Sequence, residues 1–209
     1  KRWQRACKTD FEEYLNGESK ARNIFIDIYE HEKRSFKDQR GVFYTPNAVI
    51  FQMISDLELD EFNNKNISIL EPSVGAGLFL IQLTAFFSTY EKITFDLCDI
   101  DKNSLDFIKK NRKELNLDLC ELNFINSDIV TAEIKNSYDL IIGNPPFHSI
   151  NSEQRKIYNN YLGINSKSLN IFSFIMDKLR LKSEKIILLI PKTFLMSPQY
   201  NYTKNSYQN

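Results

Sequence analysis

Asn144-Pro145-Pro146-Phe147, directly after the apolar run Leu140-Ile141-Ile142, is a set of residues with a definite chemical use. An exocyclic amino group on a purine is a poor nucleophile because its lone pair is delocalised into the ring. Two acceptors aimed at its two N–H bonds draw the nitrogen toward tetrahedral geometry and localise that lone pair. The Asn144 side-chain oxygen is one such acceptor and the Pro145 carbonyl is the other, because proline offers the backbone an acceptor but no N–H. Pro146 holds Pro145 extended. Phe147 presents a π-face to an unstacked base, a contact worth about 1–3 kcal/mol in single-stranded systems. Acceptors fixed before the reaction are electrostatic preorganisation, and no strong general base is then required. The bland alternative is a Pro-Pro strand stop with Phe in the core.

A second element is Glu71-Pro72-Ser73-Val74-Gly75-Ala76-Gly77, after the apolar run Ile67–Leu70. Gly75 and Gly77 remove side chains where the backbone must turn tightly and a ligand must come close. A dinucleotide fingerprint would want a third glycine at position 80, where this chain has Leu80, and Glu71 would repel a pyrophosphate. Glu71 suits a positive group instead, such as an amino-acid ammonium. About 20 residues past Gly77 stand Asp99 and Ile100, the acid placed to accept hydrogen bonds from ribose hydroxyls. A nucleoside joined to an amino acid, with no phosphates, describes S-adenosylmethionine. Taken alone, the glycine pair reads equally well as ordinary turn residues.

These residues need elements to hold them. Runs apolar on both faces, at 66–70, 92–99, 120–126, 138–143 and 185–191, alternate with helix-length segments, which predicts a parallel sheet covered on both sides. The expected architecture is a doubly wound α/β fold with N-terminal helices. In such folds ligands bind beyond the carboxyl ends of the strands, where each polar element above falls. "NAVIFQMISDL" predicts an amphipathic helix with Val49, Met53 and Leu57 on one face. Asp101 is a candidate helix cap ahead of Leu105, Ile108 and Leu115. The stripe Ile171, Phe174, Ile175, Leu179 reads as core packing. At 209 residues the chain is one domain or most of one. Lys+Arg and Asp+Glu number 27 each, so no whole-chain field draws it to nucleic acid or an anionic surface. Cys7, Cys98 and Cys120 lack metal-ligand spacing; Cys98 and Cys120 read as buried small side chains, and a reducing cytoplasm fits. No apolar run is long enough to span a bilayer.

Read in order, "GVFYTP", "ILEPSVGAGLFL", "CDID", "NSDI", "IIGNPPF", "NIFSFIMDKL" and "KIILLIPKTFL" resemble the catalytic domain of the N6-adenine DNA methyltransferases of restriction–modification systems. The resemblance covers roughly residues 40–198 and implies a Rossmann-like class I methyltransferase fold. It implies that Thr45 and Pro46 contact the methionine end of S-adenosylmethionine, and that Glu71, Gly75 and Gly77 line its loop. Asp99 and Ile100 would hold the ribose and adenine, and Asp128 the adenine amino group. Asn144, Pro145, Pro146 and Phe147 would hold a target adenine flipped out of double-stranded DNA, because a stacked, paired N6 cannot reach the methyl group. The implied partners are DNA, a DNA-recognition domain or subunit and a cognate restriction endonuclease, with no membrane and no metal.

The expected organisation is a helical segment at 1–40, the methyltransferase domain at 41–198, and a polar tail at 199–209 with no target-recognition domain. "NPPFH" also resembles ribosomal-RNA guanine-N2 methyltransferases, and related cups methylate a glutamine amide of release factors; "GVFYTP" and the Glu-Pro opening of the glycine loop favour the DNA enzymes. A silent cofactor-binding subunit and a nicotinamide-dependent oxidoreductase stand as the other classes. The basic stretches "KRWQR" and "KRSFKDQR" are candidate phosphate contacts or solvated faces, and His31 is a surface residue. His148 is expected to be a solvated or capping residue, and "HSINSEQRKIYNNYLG" a mobile loop or plain surface connection.

Overall fold

The computed structural model describes residues 45–208, apart from 56, 59–61, 63, 64, 114 and 116. The five apolar runs form the strands β1 (Asn66–Glu71), β2 (Lys92–Asp99), β3 (Cys120–Asn126), β4 (Leu140–Gly143) and β5 (Ile186–Leu188). All pair in parallel, in the order β3-β2-β1-β4-β5. Side chains alternate along each strand, and both faces are covered. Ile67, Ile69, Ile93, Phe95, Leu97, Leu140 and Ile142 join one core cluster, while Leu70, Cys98 and Ile141 join the other. Continuous apolar runs are what a sheet buried on both faces requires. The chain moves outward from β1 to β3 and then crosses back to place β4 beside β1. That reversal opens a crevice at the carboxyl ends of β1 and β4.

The helices on the first face are α1 (Asn47–Ser55), α2 (Leu78–Phe86) and α3 (Lys102–Lys110). Leu80, Leu83 and Phe87, in and just after α2, are fully buried there, each burial worth roughly 1.5–3 kcal/mol. Asp101 caps α3, its carboxylate accepting from the Asn103 N–H at 3.0 Å, as its position before the helix predicts. On α1 the buried ridge is Ile50, Ile54 and Leu57; Val49 and Met53 are only partly covered, so the apolar face is rotated from the predicted one.

The stretch after β4 departs most from the reading above. Instead of a loop it holds α4 (Ser152–Leu162), opened by a capping box between Asn151 and Gln154 and closed by Gly163 at φ 65°. α5 (Ile171–Leu179) follows and buries the predicted stripe. Past β5 lie α6 (Thr193–Met196) and a single 3₁₀ turn (Pro198–Tyr200), and the polar tail expected at 199–209 holds α7 (Asn201–Ser206). Tyr200 packs into an aromatic cluster with Phe172 and Phe194. Thr203 donates to Asp177 on α5 at 3.0 Å, and Tyr207 to the Met176 carbonyl at 2.8 Å. The expected N-terminal helices, both basic stretches, Cys7 and His31 lie outside the described residues. Among the described residues no helix is long and apolar enough to cross a membrane.

Candidate active site

Glu71 ends β1 with its carboxylate buried, 1% exposed, and Oε2 has no hydrogen-bond partner. Burial, reinforced by the nearby Asp99 charge, pushes its pKa well above the ordinary carboxylate range. A buried acid with an unmet acceptor beside a second acid is a site for a positively charged donor. The turn that follows is made by Gly75 at φ 51° and Gly77 at φ 76°, left-handed conformations that favour glycine. Gly77 is also the N-cap of α2, and a Cβ there would lie 3.2 Å from the Ile108 side chain of α3.

The loops after β2 and β3 are tied to this turn. One Asp99 oxygen accepts from the Gly75 N–H at 2.8 Å and the other from the Asp101 N–H at 2.8 Å. The Val74 N–H donates to the Cys98 carbonyl at 3.0 Å, carrying the β1–β2 pairing past the strand end. Ile100 is 65% exposed, an apolar surface on the strand-end loop. Asn126 donates to the Asp99 and Ile100 carbonyls at 3.0 and 3.1 Å, fixing the β2 loop from β3. Asp128 follows; its oxygens accept from the Val130 N–H at 2.9 Å and from Tyr158 Oη at 2.6 Å. Tyr158 is the buried residue of α4, and its burial and its bond to Asp128 raise its pKa, so the phenol stays the donor. Burial likewise raises the Cys98 thiol to about 12, leaving it a small protonated core side chain.

Across the crevice, β4 delivers Asn144-Pro145-Pro146-Phe147. Ser73 Oγ donates to the Asn144 carbonyl at 2.9 Å, so the two loops are directly bonded at the point where strand order reverses. The Asn144 side-chain oxygen is buried and Pro145 is buried beside it. Gly143 makes the approach of the strand ends feasible: a Cβ there would sit 3.1 Å from Pro72 Cδ and 3.8 Å from Glu71 Cγ. Phe147 packs edge-on against Phe172 of α5, centroids 6.1 Å apart. His148 is not simply solvated; its Nδ1 is buried without a partner.

Glu71, Gly75, Gly77, Asp99, Ile100, Asn144, Pro145, Pro146 and Phe147 therefore gather at adjacent strand ends. Asp128 joins them through the β3 loop, with its carboxylate already engaged by Tyr158. Thr45 is buried and Pro46 exposed at the start of α1, whose Asn47 receives long hydrogen bonds, 3.4 and 3.5 Å, from Gln82 of α2. In the sequence Ser73 stood out only within the glycine loop and Tyr158 only within the polar stretch after β4; Asn126 and Asn170 had no assigned role, although Asn170 carries a local signal as a helix cap.

The sequence and the fold are similar to those of known proteins. The family model of the methyltransferase small domain covers residues 35–171. Type II methyltransferase M.VspI of Vibrio sp. (strain 343) is 32% identical over 129 residues, which is 58% of this chain and 29% of that protein. Type II methyltransferase M.HincII of Haemophilus influenzae is 36% identical over 113 residues, 54% of this chain and 18% of that protein. The chain thus spans less than a third of either relative. A solved structure from Listeria monocytogenes, described as a class I S-adenosylmethionine-dependent methyltransferase, superposes with a TM-score of 0.65 at 15% identity, covering 83% of this chain and 54% of that one. At that identity the likeness is one of fold.

Proposed function

The chain belongs to the methyltransferase small domain family, whose cofactor is S-adenosylmethionine, and we propose that it methylates N6 of an adenine flipped out of double-stranded DNA as part of a restriction–modification system. The observation that carries this reading is the bonded pair of loops at the switch point. Ser73 joins the turn holding the unpartnered, buried Glu71 oxygen to the loop of Asn144, Pro145, Pro146 and Phe147. A cation site and an amine cup stand side by side. The relatives named as type II methyltransferases support the substrate class.

When bound, S-adenosylmethionine supplies a sulfonium methyl group to an attacking amine. The residues present fit it. Glu71 Oε2 is an unmet acceptor for its ammonium, and the Gly75–Gly77 turn lets the backbone come close to it. Asp99 would take the ribose hydroxyls, as a carboxylate is an acceptor on both oxygens. Ile100 would lie against the cofactor adenine, Asp128 would accept from that ring's amino group, and Thr45 and Pro46 would border the methionine end. At the cup, the Asn144 side-chain oxygen and the Pro145 carbonyl accept the two N–H bonds of the target amine and localise its lone pair. Phe147 stacks on the extruded base. Methyl transfer turns N6 into a positively charged, acidic amine, which gives its proton to solvent without a strong base, and the preset acceptors stabilise that charge as it forms.

The test is incubation of the full-length protein with methyl-labelled cofactor and, separately, genomic DNA, ribosomal RNA and protein. Label recovered as 6-methyladenine in DNA is the expected result. Label on guanine N2 of RNA or on a glutamine amide would keep the cup and change the substrate. Absence of transfer to all three would make the chain a cofactor-binding subunit.

A further inference from the structure

The loop that carries the amine cup has a second anchor, far along the chain. Asn170 is the N-cap of α5, its Oδ1 accepting from the Phe172 N–H at 3.3 Å. The same side chain donates from Nδ2 to the Phe147 carbonyl at 2.9 Å. One amide thus faces two elements, acceptor toward the helix and donor toward the last residue of the cup. Its backbone is pinned as well: its N–H donates to Ser168 Oγ at 3.0 Å, and its carbonyl accepts from Ser173 Oγ at 2.9 Å, both serines being fully buried. Around it, Ser149 and Asn170 form an antiparallel bridge. The Ile150 N–H donates to the Leu169 carbonyl at 2.8 Å, and the Ile171 N–H to the His148 carbonyl at 3.2 Å.

We propose that Asn170 is a positioning residue for the amine cup, fixing through its bond to the Phe147 carbonyl the direction in which the Asn144–Phe147 loop presents its acceptors. The reason lies in the loop's own chemistry. Two of its four residues are prolines and have no N–H to give to the scaffold, so its carbonyls take a larger share in holding it. Ser73 holds the Asn144 carbonyl and Asn170 holds the Phe147 carbonyl, and the Pro145 acceptor lies between these two clamps. Misplacing a reacting group by about 1 Å can cost roughly a hundredfold in rate, so an acceptor without donors of its own needs outside supports. The inference rests on the amine-transfer reading of this loop.

Asn170→Asp separates positioning from mere capping. Aspartate caps a helix as well as asparagine does, but an ionised carboxylate cannot donate to Phe147. In the full-length protein we expect Asn170→Asp and Asn170→Ala both to slow single-turnover methyl transfer by about 30- to 100-fold, with cofactor affinity within about twofold. We also expect amide hydrogen exchange at Ile150 and Ile171 to rise at least tenfold in Asn170→Asp, with exchange across residues 174–179 unchanged. If Asn170→Asp matches wild type in transfer and in exchange while only Asn170→Ala is impaired, Asn170 is a cap and the proposal is overturned. Exchange needs no substrate. A wild type that labels no DNA, with the exchange pattern intact, would remove the DNA reading and leave the positioning role; equal DNA labelling by wild type and Asn170→Asp would do the reverse.

Discussion

The two walls of the crevice are built by different means. On the β1–β2 side, the turn is shaped by backbone conformation and charge: two left-handed glycines, an Asp99 bridge to Gly75, and a buried acid with an unmet oxygen. On the β4 side, the loop is held by side chains from elsewhere: Ser73 on one carbonyl, Asn170 on another, and the ring of Phe147 against Phe172. The first wall is poised for a ligand that brings charge. The second is stiffened for a group that must be gripped in one orientation. Damage to the first should therefore appear in cofactor affinity, and damage to the second in the rate of transfer.

Asn144→Ala gives the largest separation. Loss of one preorganised polar group at a reacting centre costs about 10²–10³ in rate, so transfer should fall by that factor while calorimetric cofactor affinity stays within about threefold. Glu71→Gln should do the opposite. Loss of a charged hydrogen bond, about 1.5–3 kcal/mol, should weaken cofactor binding roughly 10- to 100-fold. Because the folded protein holds the Glu71 proton to unusually high pH, the ligand-free wild type should lose stability as pH rises above the ordinary carboxylate range. Cofactor affinity should rise over the same interval as the acid ionises, and Glu71→Gln should flatten both profiles. Binding titrations and melting curves across pH measure the two slopes.

A smaller effect joins the walls. Gly143→Ala puts a Cβ 3.1 Å from the Pro72 ring, which must shift by a few tenths of an ångström and carries Glu71 with it. We expect destabilisation of about 1–3 kcal/mol and a several-fold loss of both affinity and rate, measured by chemical denaturation and steady-state kinetics. Smallest for the reaction should be Asp177→Asn, in the α5–α7 contact. Burial raises Asp177 from 3.8 to about 6, so stability from this group falls as pH rises from about 4 to 6 and is level above. The variant should lose that slope and melt higher than wild type at pH 7, with transfer unchanged.

The same contrast governs what could be read in advance. All five strands were legible because residues such as Ile67–Leu70 and Leu140–Ile142 are apolar on both faces, and the Asp101 cap because it is local. The Gly75–Asp99 bond was not, since it depends on the parallel register that sets Glu71 beside Leu97. α4 was missed despite its Asn151–Gln154 box and Gly163 stop, because Tyr158 is the residue it buries and one anchor makes no periodic stripe. The helix within the polar C-terminal segment was not legible for a similar reason: Tyr200 and Thr203 dock it singly, among polar neighbours. Asn144, Pro145, Pro146 and Phe147 stood out by their types, whereas Asn170 and Ser73 bond to that loop across folded distances that carry no sequence period.

The most direct test is a crystal structure of the full-length protein with S-adenosylmethionine bound. The account predicts the ammonium within hydrogen-bonding distance of Glu71 Oε2 and the methyl group directed toward the Asn144 side-chain oxygen and the Pro145 carbonyl. A cofactor seated away from the Gly75–Gly77 turn, or a methyl group turned away from Asn144, would contradict it.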